Sequence, residues 1–130
     1  MIALDTNILA RLLLEDDKAQ HVRAVAMLKN GNTYTAPVTV MLELVWVLTV
    51  AGKNRGEIAA ALSSLLAMST FKPKEPEALR HAVRWYASGI DFPDALHLAL
   101  STGESSLATF DERFAKRAKR EGAAPPVSLC

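Results

Sequence analysis

The stretch MIALDTNILARLLL, residues 1–14, changes character in its middle. Ile2, Ala3 and Leu4 read as a buried strand. Asp5, Thr6 and Asn7 interrupt it, and from Ile8 apolar residues resume in the pattern of a short helix over residues 6–14. A strand that enters a helix through a polar junction is the first half of a β-α unit. Polar residues have an ordinary reason to stand there, because Asp, Thr and Asn accept from the free N–H groups of a helix's first turn. The same junction recurs late in the chain. Ser106 to Thr109 reads as a strand, Asp111 follows, and residues 111–121 form a basic helix.

Between these junctions the pattern keeps alternating. Glu15, Asp16 and Asp17 start a second helix that runs to about Lys29, and residues 33–36 are a short strand candidate. VTVMLELVWVLTV, residues 38–50, is rich in β-branched side chains but too long for an ordinary strand, so helix is the better reading. A helix capped by Asn54 covers residues 54–68, and Ser69 to Lys72 is a weak strand candidate. Pro76 opens a helix to Ser88, another spans residues 92–102, and Val127 to Leu129 is a last short strand. About five short strands separated by helices predict a parallel sheet covered on both faces. In such sheets ligands bind outside the carboxyl ends of the strands. Asp5 and Asp111 belong at that edge.

The totals exclude several classes. A chain of 130 residues that is half hydrophobic is expected to form a single globular domain over residues 1–130. Fifteen Lys and Arg against fourteen Asp and Glu exclude a strongly basic nucleic-acid-coating protein, though not a local basic patch. The one cysteine, Cys130, offers no disulfide framework, zinc knuckle or internal nucleophile. The N-terminus lacks the basic start and apolar core of a signal peptide. The longest near-apolar run, residues 38–51, contains Glu43 and falls short of the ~20 residues a bilayer requires. A cytoplasmic protein with no membrane contact is expected.

Nine of the fourteen acids sit in polar or helix-start contexts that solvation explains. The other five are Asp5, Glu43, Asp91, Asp94 and Asp111. Glu43 is the only charge between Val38 and Ala51, and a buried unpaired carboxylate is costly. An ion pair with an arginine such as Arg11 would satisfy it, and so would an external cation. In GIDFPDALHLAL, residues 89–100, Asp91 suits an N-cap and Asp94 falls in the first helical turn. His97 follows three residues later and reads as a hydrogen-bonded core histidine. Each acid has a structural explanation alone. Together, Asp5, Asp94 and Asp111 head for one sheet edge, with Glu43 within reach from a flanking helix. Two unit charges ~4 Å apart repel by about 4 kcal/mol at an effective dielectric of ~20. Such a cluster holds protons or binds a hard cation such as Mg²⁺ or Mn²⁺, and these ions act on phosphates.

LDTNILARLL, the acid within LELVWVL, DFPDALHLA and LATFDERF, in that order, resemble the motifs of PIN-domain ribonucleases, and among them the VapC-type toxins of toxin–antitoxin pairs. The resemblance covers essentially the whole chain. It implies a three-layer α/β/α sandwich around a parallel sheet of about five strands, with the first strand central. It implies an acidic pocket with one or two Mg²⁺ or Mn²⁺ ions that cleaves single-stranded RNA by metal-activated water, leaving 5′-phosphate and 3′-hydroxyl ends. The family's acids fall on Asp5, Glu43, Asp94 and Asp111. Asp5, Asp94 and Asp111 would hold metal, and Glu43 would ligate it or orient water. Thr6, Asn7, Asp91 and Thr109 fall on supporting positions, and Glu112 on a further acid common after the fourth.

RFAKRAKR, residues 113–120, offers Arg113, Lys116 and Arg117 for RNA phosphates, and Arg11 is a further candidate. The same cations also suit the C-terminal end of a helix. The resemblance further implies a homodimer inhibited by a cognate antitoxin seated in an apolar groove. The faces of residues 6–14 and 38–68, with Trp46 and Leu62, are candidates for that groove and equally for core. The competing reading is a non-catalytic PIN-like module that binds RNA or protein. A phosphate-accepting receiver domain has the right length but needs an acid pair after the first strand and a late strand-end lysine, and neither is evident.

Overall fold

The computed structural model describes residues 1–130, with seven helices and four short strands. They form two compact units, Met1–Pro76 and Glu77–Cys130.

In the first unit, β1 (Ile2–Ala3) lies parallel to β2 (Tyr34–Thr35), Ile2 opposite Tyr34 and Ala3 opposite Thr35. The crossover between them is α1 (Thr6–Leu13) and α2 (Lys18–Leu28), which pack on each other. Then α3 (Val38–Val50) and α4 (Arg55–Ala67) lead to Phe71, which bridges Tyr34 in parallel. Tyr34 therefore sits between two extended neighbours, and its hydroxyl donates to the Met27 carbonyl and to Asn30 Oδ1. Helix α4 opens on a full capping box: Asn54 Oδ1 accepts from the Glu57 N–H at 2.8 Å, and Glu57 Oε1 from the Asn54 N–H at 2.9 Å.

Helix α3 is apolar almost all round, so its rotation is set by which stripe is buried. Met41, Leu44, Val45 and Leu48, at i, i+3, i+4 and i+7, are all buried. Each large side chain fully buried contributes about 1.5–3 kcal/mol. Burying that stripe turns the opposite one outward: Glu43 is exposed, and so are Trp46 (65%) and Val50 (67%). One expectation is corrected here: Glu43 is not a buried charge. Of the two residues left open between groove and core, Trp46 is exposed and Leu62 is fully buried.

The second unit holds α5 (Pro76–Ser88), α6 (Phe92–Leu100), β3 (Leu107–Thr109), α7 (Glu112–Arg120) and β4 (Val127–Leu129). Strands β3 and β4 are parallel, with Leu107 opposite Val127 and Thr109 opposite Leu129, and α7 is their crossover and packs on β4. The ladder is extended by the Cys130 N–H, which donates to the Thr109 carbonyl at 2.8 Å. Gly89 ends α5 with φ +126, a left-handed backbone that suits glycine. Its carbonyl accepts from Arg117 on α7, which ties the α5–α6 turn to the basic helix.

All five segments read as strands carry parallel pairing, but in separate sets: Phe71, β2 and β1 in one, β3 and β4 in the other. The mixed α/β class with short parallel strands is as expected, while a continuous five-stranded sheet and a three-layer sandwich are not shown. Within the first unit β1 pairs with β2. No helix is long and apolar enough to cross a membrane.

Candidate functional site

Three of the five singled-out acids stand at helix N-cap positions, and two of these bond backbone there. Asp5 ends the β1 segment in an extended conformation, and its Oδ1 accepts from the Thr6 N–H at 2.7 Å. Asp111 caps α7, its Oδ1 accepting from the Phe114 N–H at 3.0 Å. The Thr109 hydroxyl accepts from the Asp111 N–H at 3.0 Å, so the turn before α7 is closed from both sides. Asp91 occupies the N-cap of α6 without making a side-chain cap bond. In Asp5 and Asp111 the backbone takes one carboxylate oxygen, and both residues remain exposed.

In the second unit the acids act on one another. Asp94, in the first turn of α6, is half-buried. Burial holds its carboxyl above the ordinary value, the charges of Asp111 and then Asp91 push it further up, and His97 pulls it partly back. Two carboxylates, at 91 and 111, therefore bear on the one at 94. His97 is exposed rather than a core histidine, because buried Leu96 and Leu98 set the inward face of α6.

In the first unit, Thr6 is buried beside exposed Asp5, and its hydroxyl has no hydrogen-bond partner. Glu43 makes no ion pair. The arginine offered for it, Arg11, instead pairs with Asp16 at 2.7 Å. That pair is local, its partners five positions apart in the chain, and it leaves the α3 carboxylate in solvent.

The cations of α7 divide. Arg113 is exposed, Lys116 pairs with Glu112 at 3.1 Å one helical turn away, and Arg117 is half-buried and bonded to the Gly89 carbonyl. Arg117 thus serves the fold of its own unit. One residue passed over in the sequence stands out in the structure. Phe110, between Thr109 and Asp111, is 89% exposed. An aromatic placed between a strand end and a capping acid was the available signal.

Within neither unit do three His, Cys, Asp or Glu side chains gather to hold a metal ion. The donors present are carboxylate and hydroxyl oxygens, which suit a hard divalent cation. In the second unit, the raised Asp94 carboxyl fits such a cation, whose charge would relieve it.

Parallel strands joined by helical crossovers, with acids at the strand-to-helix junctions, define a mixed α/β protein. The family model of the PIN domain matches residues 2–120, which run through both units, and the chain belongs to that family. PIN domains are in general nuclease domains, typically metal-dependent. No curated protein and no solved structure matches the chain.

Proposed function

We propose that this protein is an Mg²⁺- or Mn²⁺-dependent endoribonuclease that cleaves single-stranded regions of RNA, and that it acts as the toxin of a toxin–antitoxin pair. The observation that carries the nuclease reading is the PIN-domain match over residues 2–120, and the half-buried Asp94, whose carboxyl the charges of Asp111 and Asp91 help to raise, supports it. Asp5, Asp94 and Asp111 hold the metal directly or through water, and Glu43 ligates it or orients water. Thr6, Asn7, Asp91 and Thr109 support them, and Thr109 does so by fixing the turn that carries Asp111.

When bound, the cation supplies Lewis-acid stabilisation of the phosphate and makes water a competent nucleophile. The carboxylates place it and balance its charge. Water oxygen bonds to phosphorus as the bond from phosphorus to the 3′ oxygen breaks. The departing oxygen takes up a proton to become a 3′-hydroxyl, and the other fragment keeps a 5′-phosphate. Phe110 offers an exposed ring on which a neighbouring base can stack. Arg11, Arg113, Lys116 and Arg117 are the cations nearest the acids in sequence, and of the three on α7 Arg113 is exposed and makes no ion pair.

The toxin role rests on the likeness of the four motifs to VapC-type sequences. Trp46 and Val50, one helical turn apart and both exposed, give an antitoxin segment or a second copy an apolar surface to cover. The test is incubation of purified protein with a structured RNA, with and without Mg²⁺. Cleavage should need the metal, stop with EDTA, and vanish in Asp5→Asn and Asp94→Asn proteins. Cleavage that persists unchanged in both variants overturns the assignment. The second reading, a non-catalytic PIN module, draws on the lack of a three-donor group within either unit. It requires that Mg²⁺ leave the melting temperature unmoved.

A further inference from the structure

Between α1 and α2 lies a cleft of about 300 Å³ whose polar wall is Asn7, Arg11, Gln20 and Arg23, with Ile8 and Met27 among the apolar residues beneath. Asn7 and Arg11 are four residues apart on α1, and Gln20, Arg23 and Met27 follow one stripe of α2, so two helical faces are turned toward each other. No acid lines the cleft. Arg23 is exposed and has no ion-pair or hydrogen-bond partner. Arg11 is underused: one terminal nitrogen holds Asp16, while Nε is buried without an acceptor. A guanidinium presents five N–H donors in a planar fork that matches phosphate oxygens. Two such groups beside an amide pair and an apolar floor make a receptor for one nucleotide, phosphate at the mouth and base below.

We propose that this cleft is a subsite for a nucleotide of the RNA strand outside the bond that is cut. The proposal rests on the ribonuclease reading above, because it takes the strand as already present. RNA is favoured over an acidic peptide by the combination of paired guanidiniums with an apolar floor, and by position. Asp5 caps the helix that carries Arg11 six residues on, a rise of about 9 Å along the axis. A strand lying along α1 from the Asp5 end brings a neighbouring phosphate toward Arg11 and Arg23.

The test is fluorescence anisotropy of a labelled single-stranded oligoribonucleotide with the whole protein, in EDTA so that no strand is cut. Arg23→Gln should weaken binding several-fold and flatten the dependence of log affinity on log salt by about 0.7, the value for one lost single-strand phosphate contact. Gln20→Glu, which places a carboxylate in the same wall, should weaken binding as well. Both positions are exposed, so circular dichroism should be unchanged. Unchanged affinity and slope in both variants overturn the subsite, even when the wild type cuts RNA with Mg²⁺. Arginine-dependent RNA binding by a wild type that never cuts RNA upholds the subsite and overturns the nuclease reading. Competition by an acidic peptide that depends on Arg23, with RNA binding indifferent to it, overturns RNA as the occupant.

Discussion

Replacing Asp111 by Asn and by Ala separates the two tasks assigned to this residue. Its Oδ1 caps α7 through the Phe114 N–H at 3.0 Å. Asn caps as well as Asp, whereas Ala at an N-cap costs about 0.5–2 kcal/mol, typically ~1. Unfolding entropy near 2.1 cal/mol/K per residue over 130 residues is about 0.27 kcal/mol/K, so ~1 kcal/mol lowers the melting temperature by about 4 °C. Asn also gives up the favourable charge at the helix N-terminus, about 0.3–1 kcal/mol at the surface. It removes in return the repulsion that Asp111 exerts on Asp94, a change of opposite sign. Metal-free Asp111→Asn should therefore melt close to wild type, and Asp111→Ala about 4 °C lower. If the carboxylate serves the reaction, both variants lose RNA cleavage, on the order of 100-fold or more, the scale of removing one electrostatic contact to a transition state. Calorimetry of the metal-free proteins and a gel assay of cleavage with Mg²⁺ measure the pair. An Asp111→Asn protein that cuts RNA at the wild-type rate, beside a destabilised Asp111→Ala, would show that Asp111 is a cap and nothing more.

Asp94 gives the pH dependence. Its folded carboxyl titrates above the unfolded value of about 3.9, so its charge opposes folding once the pH exceeds the folded value, and the penalty disappears below the unfolded one. Asp94→Asn should raise the urea midpoint of the metal-free protein at neutral pH and leave it unchanged below about pH 4; a gain of equal size at both pH values would point to packing instead. Adding Mg²⁺ at ~100 times its dissociation constant should stabilise the wild type by about 2.7 kcal/mol, and clearly less in Asp94→Asn at the same concentration, as read by thermal shift. Phe110→Ala should weaken binding of a single-stranded oligoribonucleotide by about 1–3 kcal/mol without moving the melting temperature. A melting temperature that drops would mean that the ring is buried in solution.

The element order was legible because each boundary has a local cause: Asn54 with Glu57 for α4, Pro76 for α5, Asp91 and Pro93 for α6, and Gly89 after α5. Even the weak strand candidate at residues 69–72 has its counterpart in the Phe71 bridge. Side-chain direction on α3 was not legible. Trp46, Val47 and Val50 are as apolar as the buried stripe, so no period marks which face turns inward, and Glu43 was read as buried for that reason. Arg11 was offered to Glu43 because charge can be counted along a sequence but distance across a fold cannot; Asp16 was nearer. Sheet continuity is set by strand-to-strand contacts distant in sequence, and alternation of strand and helix carries no record of them. The acids themselves were legible one by one. Only Asp94, Asp91 and Asp111 gained a mutual effect from the structure, while the roles of Asp5 and Glu43 stand on the motif likeness.

The terminal step of the β3–β4 ladder has a practical use. Cys130 is the only cysteine in the chain, it is exposed, and its N–H is bonded to the carbonyl of Thr109, two residues before Asp111. This chain therefore already carries one thiol for site-specific labelling. A maleimide dye attached there sits on the strand partner of the Thr109–Asp111 turn, with every acid and every cation left in place. Ion or oligonucleotide arriving at that turn becomes a change in emission from an otherwise unaltered molecule.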